Sequence, residues 1–442
     1  MLNFQGLLKL KYYIRITNRV IMKNFILFIH LIILLFLHIE GNAQNLFNAR
    51  SLGMAGSNVA IADGNEYIGG NPATLGQPKH FNYEILLVSA HAMLKNNSYS
   101  LVEYDQYFTT GDSLTQSDID FLVSRVPNSG WKGDFNTDAR ALAFYARPFS
   151  LSIGGMGNGF LNLPKDAARF PFYGNTVIKE FKIDDLDGEA WAGGSIDLGF
   201  AVPITQWTPA EFDFFSVGLT AKYIVGFQYA NVENSSGTII TTNDYLLVDA
   251  MIETRRSEGG KGYGIDLGVM GIYEKDWTLS LHFSNIIGEV FWNKDNKLEL
   301  INYEADSLFK IEDIANFADQ KVDTTFDIGK FGTGLPRSAT FSAAYQYQPN
   351  LVFTAAYRQG FNKELGNTIV PLFAVGTEYF PVPYIPLRAG VAIGGDSGFS
   401  LGLGVGVDVK YWQLNIGYLN HNFRWFRGAR SVDLAVTTQF RF

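Results

Sequence analysis

The chain has 442 residues, no cysteine and a formal net charge of −8, with 43 acidic against 35 basic residues. The lack of cysteine excludes disulfides, thiolate nucleophiles and zinc-thiolate sites, and the acidic balance argues against a nucleic-acid-binding surface. Aromatic residues make up 15% of the chain and glycine contributes 45 residues, while the mean hydropathy is close to neutral at +0.03. A strand with one apolar and one polar face has a mean hydropathy near zero, so a barrel built of such strands also has a near-neutral mean hydropathy.

The amino terminus has the order of a bacterial signal peptide. Lys23 precedes an apolar run at 25–37, and small residues follow up to Ala43. The run is too short to cross a bilayer as a helix. We therefore predict a cleaved signal peptide over residues 1–43, with Met22 as the more natural start; the alternative is a retained anchor.

Alternating apolar and polar residues recur along the chain from about Phe81 to its end. This period of two describes a strand with lipid on one side and water or a polar lumen on the other. After a first strand that begins near Phe81, the predicted strands are 139–147, 149–160, 191–203, 214–230, 261–273, 276–290, 336–348, 350–360, 370–380, 385–394, 398–408, 411–421 and 431–442. The total of about fourteen is even, as a single-chain bacterial barrel requires.

The links between the predicted strands alternate between short and long. The link at 274–275 is very short, for example, whereas the segment around 104–138 is long. Outer-membrane barrels have short periplasmic turns and long external loops, so this alternation supports the strand count. In the first long loop, Thr115 and Ser117 can cap a predicted helix at 118–126.

The predicted inward face of the strand at 398–408 contains three glycines, Gly402, Gly404 and Gly406. A row of glycines leaves space beside the barrel wall. The space could hold a plug or a ligand, or the glycines could ease the curvature of the sheet. The sequence leaves these alternatives open.

The inward charges form two predicted groups. Asp197, Lys222 and Asp266 lie on three successive predicted strands at comparable depths, and Arg388 and Asp408 lie on adjacent strands nearer the periplasm. Charges inside a lumen are expected to pair with one another. A structural network is one interpretation, and contact with the polar head group of a substrate is the other.

The chain ends on an alternating strand whose last aromatic residues are Phe440 and Phe442. Such an ending resembles that of bacterial outer-membrane barrels, whose final strand is recognised by the barrel-assembly machinery. An edge strand of a soluble β-sandwich is the alternative. The sequence therefore predicts two partners, outer-membrane lipid and the assembly machinery, in the cell outer membrane of a Gram-negative bacterium.

Catalytic signals are sparse, and no enzyme activity, cofactor or metal is expected. The sequence contains no HExxH, and the glycine-rich segment 154–159 opens no predicted helix. Ser280 and His282 could in principle form a catalytic pair but read as ordinary lumen residues. The acidic run from Asp184 to Glu189 lacks the full spacing of a calcium loop, so a solvated loop is the favoured interpretation.

A family resemblance begins between the predicted signal and the first strand. The motifs that carry it are ARSLGMAG at 49–56, VAIAD at 59–63 and Asn-Pro-Ala at 71–73, followed later by GSIDLGFAVPI, YGIDLGVMGIY, LSLHFSNIIG, PLRAG and GFSLGLG. The chain resembles the FadL-like outer-membrane superfamily, which includes hydrophobic-compound porins and the PorV-type accessory proteins of type IX secretion. It departs from the pattern at Thr74, where members commonly have glycine.

The resemblance implies an all-β fold, a transmembrane antiparallel up-and-down barrel over residues 81–442 with a lumenal hatch over 44–80. It suggests that Asn71, Pro72 and Ala73 border an apolar cavity beside the inward glycines. The implied function is passive uptake of hydrophobic small molecules. The alternatives are a PorV-like partner of secreted proteins and a mainly structural barrel.

Overall fold

The computed structural model describes residues 48–173, 179–204, 212–241, 245–304, 309–310, 321–395, 398–421 and 428–442. The predicted signal peptide and the first residues of the predicted hatch lie outside these ranges. Fourteen strands form the barrel. They are β1 (Tyr83–Asn96), β2 (Trp131–Ala146), β3 (Phe149–Leu163), β5 (Asp187–Pro203), β6 (Phe212–Thr241), β8 (Gly260–Tyr273), β9 (Trp277–Trp292), β14 (Ser338–Gln348), β15 (Leu351–Gly360), β16 (Leu372–Val382), β17 (Ile385–Gly394), β18 (Gly398–Val409), β19 (Trp412–His421) and β20 (Ser431–Arg441).

Each barrel strand pairs antiparallel with its neighbours, and β1 closes the barrel by pairing with β20, where Ala90 lies opposite Val436. The predicted up-and-down barrel of fourteen strands is therefore confirmed. The predicted alternation of short and long links is also confirmed, because β8 and β9 are joined by a tight turn while residues 97–130 separate β1 from β2.

Lipid-facing and lumen-facing side chains alternate along the strands as predicted. On β19, Ile416 is 46% exposed, whereas its inward neighbour Asn415 is 1% exposed. At the periplasmic end, aromatic rings pair across strands and form the girdle expected at a membrane interface. These pairs are Tyr83 with Phe144, Phe149 with Phe200, and Tyr411 with Phe442.

The remaining strands lie at the opposite, external end. They are β4 (Lys179–Lys182), β7 (Tyr245–Ser257), β10 (Lys297–Glu304), β11 (Phe309–Lys310), β12 (Lys321–Asp327) and β13 (Phe331–Gly334). Strand β6 continues past the barrel to Thr241 and pairs there with β7, which in turn pairs with β10. The sequence predicted that this strand ends at residue 230, whereas β6 reaches Thr241. The prediction was too short because the part of a strand beyond the membrane has no lipid-facing row of apolar side chains.

In the described parts of the external loops there are three α-helices, namely α2 (Leu101–Tyr104), α3 (Gln116–Arg125) and α4 (Lys165–Tyr173). The helix predicted at 118–126 is α3, and Thr115 caps it by accepting a hydrogen bond from the backbone N–H of Asp118 at 3.3 Å. Among the described residues, no helix has the length and apolar character needed to cross a membrane.

The described part of the hatch, residues 48–80, folds inside the barrel. It contains the short helix α1 (Ala49–Gly53) and three 3-10 turns, at Ser57–Ile61, Gly64–Tyr67 and Pro72–Gly76. All residues of α1 are buried. The predicted lumenal hatch is therefore present in this fold.

Candidate functional site: the plugged lumen

Helix α1 lies against the inward glycines of β18. A Cβ atom at Gly402 would lie 2.5 Å from the carbonyl oxygen of Leu52, and one at Gly53 would lie 2.8 Å from the Cα atom of Gly404. Any side chain at these positions would push the two backbones apart. The space at Gly406 is instead filled by Asn415 of the neighbouring strand. Two of the three glycines thus form a seat for the hatch.

The Asn-Pro-Ala motif has a second seat on the opposite wall. The Asn71 side chain is fully buried; its Oδ1 accepts from the Ala73 N–H at 2.9 Å, and its Nδ2 donates to the carbonyl oxygen of Val269 at 2.9 Å. A Cβ atom at Gly218 would overlap Pro72 and Ala73, and one at Gly268 would overlap Asn71. The motif therefore packs directly on β6 and β8.

Arg50 connects the hatch to the wall through buried ion pairs. Its Nη2 lies 2.6 Å from Glu378 Oε1 on β16, and its Nε donates to Glu378 Oε2 at 2.9 Å, which makes a bidentate pair. Its Nη1 reaches Glu66 within the hatch at 2.7 Å. Glu378 also accepts from Arg388 of β17. One guanidinium thus fastens two parts of the hatch to the barrel.

Asp63 completes this cluster from the hatch side, with Lys79 and Arg50 as its basic partners. Burial alone would raise the pKa of Asp63, but the charges of Lys79 and Arg50 outweigh it and hold that pKa well below its usual value. Asp63 is therefore an anion throughout the neutral pH range.

The predicted pairing of Arg388 with Asp408 is wrong. Arg388 Nη1 donates to Asn415 at 2.7 Å, and Asp408 accepts from Arg441 at 3.4 Å. In the register of β17 and β18, Arg388 stands opposite Gly404. Asp408 lies four positions further, roughly 13 Å along the strand, which is too far for contact.

The predicted group of Asp197, Lys222 and Asp266 divides in two. Lys222 Nζ lies 2.8 Å from Asp266 Oδ2 and donates to the side chain of Asn285 at 2.9 Å. Asp197 is directly opposite Lys222 on the neighbouring strand, but its Oδ2 accepts from Arg140 at 2.8 Å instead. The expected single network is therefore two separate ion pairs.

The sequence did not predict Arg140 as a lumenal residue, because the inward–outward alternation of side chains along β2 is interrupted next to it. The register between β2 and β3 shifts between Arg140 and Leu142. Leu142 is 50% exposed to lipid, so strict alternation would also point Arg140 outward. Only the bulge turns Arg140 and Asp138 into the lumen, where they form an ion pair at 3.1 Å.

A cavity of about 40 Å³ lies at the external mouth of the lumen, directly above the hatch. Its floor includes Ala55, and its walls come from β15 to β19 and from the connection between β15 and β16. The lining residues are Ala55, Arg358, Gly360, Asn367, Thr368, Val370, Leu372, Ala392, Gly394, Gly395, Ser400, Leu419 and His421. The predicted ligand-proximal residues Asn71, Pro72, Ala73, Gly402, Gly404 and Gly406 do not line this cavity.

The acidic run in the external loop is used within the fold. Asp184 accepts a hydrogen bond from the Gly237 N–H at 3.0 Å, and Glu189 accepts one from the Tyr229 hydroxyl at 3.1 Å. In the part of the chain that the structure describes, no group of three or more His, Asp or Glu side chains is arranged to hold a metal ion.

A closed barrel of fourteen strands with an aromatic girdle and a buried amino-terminal hatch defines a plugged β-barrel of the outer-membrane type. The chain belongs to a family of unknown function (DUF5723), whose model matches residues 72–257 and 248–418. No curated protein matches the sequence.

Solved structures share this fold at low sequence identity. The toluene transporter TbuX of Ralstonia pickettii is 14% identical with a TM-score of 0.51, and the match covers 92% of this chain and 100% of that chain. The toluene transporter TodX of P. putida is 11% identical with a TM-score of 0.53, and the match covers 91% and 99% of the two chains. At these identities the likeness is one of fold, and the fold predicted from the FadL-like resemblance is confirmed.

Proposed function

We propose that this protein mediates passive uptake of hydrophobic small molecules across the outer membrane, with no catalytic step. The observation that carries the proposal is the mouth cavity above the hatch, whose apolar lining includes Ala55, Leu372, Ala392 and Leu419. Apolar pockets with few polar groups are the usual form of sites for such ligands. The shared fold of the toluene transporters TbuX and TodX supports the same function.

In this proposal a ligand enters between the external loops and rests in the mouth cavity. The hatch blocks the direct path, because α1 packs backbone to backbone on β18. The ligand then leaves past a displaced hatch or through the barrel wall. The first route needs movement of the hatch, since Ala49 and Leu52 are fully buried in this state.

The proposal includes the route by which the chain reaches the outer membrane. The chain is exported by a cleaved signal peptide over residues 1–43 and inserted by the barrel-assembly machinery, which recognises the last strand. Phe440 and Phe442 project from the barrel with 38% and 57% exposure. The Phe442 N–H donates to the carbonyl oxygen of Tyr83 at 2.9 Å, so the recognised residues also close the barrel.

A hatch locked by a disulfide tests the proposal. The hydroxyl oxygens of Ser57 in the hatch and Thr354 on β15 lie 2.6 Å apart. Because the chain has no cysteine, the pair Ser57→Cys and Thr354→Cys would form a single defined cross-link. Purified protein in liposomes should take up a fluorescent hydrophobic probe, and the oxidised double variant should take it up more slowly until a reductant is added.

The two single-cysteine variants are the controls, because neither can form the cross-link. If the oxidised double variant takes up the probe as fast as the wild-type protein does, the ligand leaves through the barrel wall. If the wild-type protein in liposomes takes up no probe, the proposed uptake function is wrong. The PorV-like partner and the structural barrel would then remain, and recovery of a partner with and without residues 297–327 would separate them.

A further inference from the structure

A second cavity, of about 10 Å³, lies between the hatch and the seam where β1 pairs with β20. It shares no lining residue with the mouth cavity, and all of its own lining residues are buried. A volume of this size holds one particle as large as a water molecule. We call this space the seam cavity; Asn65 and Glu66 line it from the hatch, and Gln439 lines it from β20.

Three side-chain oxygens of the seam cavity have no hydrogen-bond donor among the described residues. They are Asn65 Oδ1, Glu66 Oε1 and Gln439 Oε1. The three residues are 4%, 4% and 0% exposed, so bulk water does not reach these oxygens. Buried polar atoms are almost always hydrogen-bonded, and a buried acceptor without a partner is costly. Three such acceptors around one small space indicate a ligand that takes up lone pairs.

The orientation of the Gln439 amide follows from a chain of hydrogen bonds. Asp408 accepts from Gln413 Nε2 at 3.1 Å, which leaves Gln413 Oε1 as an acceptor. Gln439 Nε2 donates to that oxygen at 2.7 Å. Because a carboxylate can only accept, exchanging the oxygen and nitrogen of either amide would place two acceptors or two donors against each other. The Gln439 oxygen is therefore the group left for the cavity.

The two hatch oxygens are oriented by their own neighbours. Asn65 Nδ2 donates to the carbonyl oxygen of Glu84 at 3.4 Å, which leaves Asn65 Oδ1 unused. Glu66 Oε2 accepts from Arg50 at 2.7 Å and from the Asp63 N–H at 3.3 Å. The second carboxylate oxygen, Glu66 Oε1, is therefore the unused one.

The other polar groups around the cavity already have partners within the protein. Asn48 Nδ2 donates to the carbonyl oxygen of Glu66 at 3.1 Å, and the hydroxyl oxygens of Ser89 and Thr437 lie 3.1 Å apart. A single water molecule has two hydrogens, so it can donate to only two of the three unused oxygens. A cation attracts all three at once.

The charge around the cavity favours a monovalent cation. Among the described residues, the ion-paired groups that connect the hatch to the wall here are four bases and five carboxylates, namely Arg50, Lys79, Arg388 and Arg441 with Asp63, Glu66, Glu84, Glu378 and Asp408. One negative charge is therefore left over. Arg140, which also lines the cavity, pairs with two carboxylates of its own, Asp138 and Asp197. Among the three unused oxygens, one belongs to a carboxylate, whereas tight calcium sites use several carboxylates.

We propose that the seam cavity binds one alkali-metal cation such as sodium, with Asn65 Oδ1, Glu66 Oε1 and Gln439 Oε1 as its protein ligands. Carboxylate and amide oxygens are hard ligands, which suit hard cations. Two ligands belong to the hatch and one belongs to the last strand, so the ion cross-links the hatch to the barrel wall. The site is independent of the proposed uptake function.

Equilibrium dialysis of the full-length mature protein against radioactive sodium chloride tests the inference. Nanodiscs of zwitterionic lipid avoid binding of the ion to the membrane, and choline chloride keeps the ionic strength constant because choline is too large for the cavity. The wild-type protein should bind one sodium ion per barrel in a saturable manner. The lack of saturable binding would mean that the cavity holds only water, and displacement of sodium by a lower concentration of calcium would mean a divalent site. Either result would overturn the inference.

Two variants test the ligands from the wall and from the hatch. Gln439→Met removes one ligand oxygen but keeps the length of the side chain, and it should weaken sodium binding about tenfold or more. Asn65→Asp replaces an amide oxygen with a second carboxylate, so it should change the preference from sodium to calcium. A purely structural role of Asn65 would not produce this change. Unaltered sodium binding in Gln439→Met, or an unaltered ion preference in Asn65→Asp, would contradict the site.

Asn136→Leu is the matched control. Asn136 is a buried residue of β2 whose Oδ1 also lacks a donor among the described residues, but it does not line the seam cavity. Its replacement should leave sodium binding unchanged. An equal loss of binding in Asn136→Leu and Gln439→Met would point to a general effect of removing a buried amide and would reject the site. All three variants should keep the heat-modifiable migration of a folded barrel, which separates loss of the ion from loss of folding.

The effect of the ion on the hatch is measured by limited proteolysis. A ligand that binds only the native arrangement stabilises it, so cleavage of the wild-type hatch should be slower in sodium chloride than in choline chloride. Gln439→Met should be cleaved at the same rate in both salts. Equal cleavage of the wild-type protein in the two salts would show that the ion does not cross-link the hatch to the wall.

Discussion

The Cα atom of Gly53 in the hatch lies directly against Gly404 in the wall, where an added Cβ atom would stand only 3.1 Å from it. No side chain separates the two backbones at this point. The contact fixes the depth of α1 in the lumen, and together with the buried ion pairs of Arg50 it holds the hatch in place.

Gly404→Ala should therefore loosen the hatch. The added methyl group forces α1 away from β18, and overpacking of this kind costs about 1 kcal/mol or more. Limited proteolysis should cut the hatch faster in the variant than in the wild type. Gly155→Ala is the control, because its Cβ would meet only the carbonyl oxygen of Gly193 at 3.9 Å. Identical cleavage rates in both variants would show that the contact does not hold the hatch.

Arg50→Met should destabilise the protein strongly. It leaves Glu378 and Glu66 buried with one cation fewer, and removal of one partner of a buried pair costs about 3–5 kcal/mol. Arg255→Met is the comparison, since Arg255 pairs with Glu233 at 3.0 Å on the external sheet, where a pair is worth about 0–1 kcal/mol. Urea unfolding measures both changes. Similar losses for the two variants would mean that the Arg50 cluster adds little.

A double-mutant cycle should separate the two lumenal ion pairs. We expect a clear coupling energy between Lys222 and Asp266, of about 1–3 kcal/mol, and a smaller one between Lys222 and Asp197. Asp197 should couple to Arg140 instead, because their side chains lie 2.8 Å apart. Unfolding free energies of the Lys222→Met, Asp266→Asn, Asp197→Asn and Arg140→Met variants and of the corresponding double variants give these values. If Lys222 coupled more strongly to Asp197 than to Asp266, the division into two ion pairs would be wrong and the single predicted network would be correct.

The two faces of the barrel should respond differently to a new charge. Leu403 is 40% exposed to lipid, so Leu403→Lys should cost about 2–4 kcal/mol near the middle of the bilayer and impair assembly. Gln413 faces inward and donates to Asp408 at 3.1 Å. Gln413→Lys places an ammonium beside that carboxylate and should be tolerated better. Recovery of heat-modifiable barrel from membranes measures both, and an equal yield would contradict the assigned faces.

The strands and their faces could be predicted because alternation is a local signal with period two. Cross-strand partners could not, because they depend on register. Arg388 and Asp408 both face inward as predicted, yet they contact Glu378 and Arg441 respectively. Arg140 escaped prediction for a related reason, since a bulge reversed the alternation just after it.

The inward glycines of β18, Gly402, Gly404 and Gly406, show a second feature that the sequence could not decide. Small inward residues on β18 indicated free space, and the sequence left open what fills it. At Gly402 and Gly404 the hatch backbone fills it, while the mouth cavity lies higher, beside Arg358.

The seam between the first and last strands is also a place where the hatch attaches to the wall. Glu84 of β1 accepts hydrogen bonds from Asn65 of the hatch at 2.6 Å and from Arg441 of β20 at 2.7 Å. The hatch also reaches β20 directly, where the Ala49 N–H donates to Thr437 at 3.1 Å. Because one carboxylate holds the hatch and also joins the first strand to the last, placement of the hatch and closure of the barrel stabilise each other.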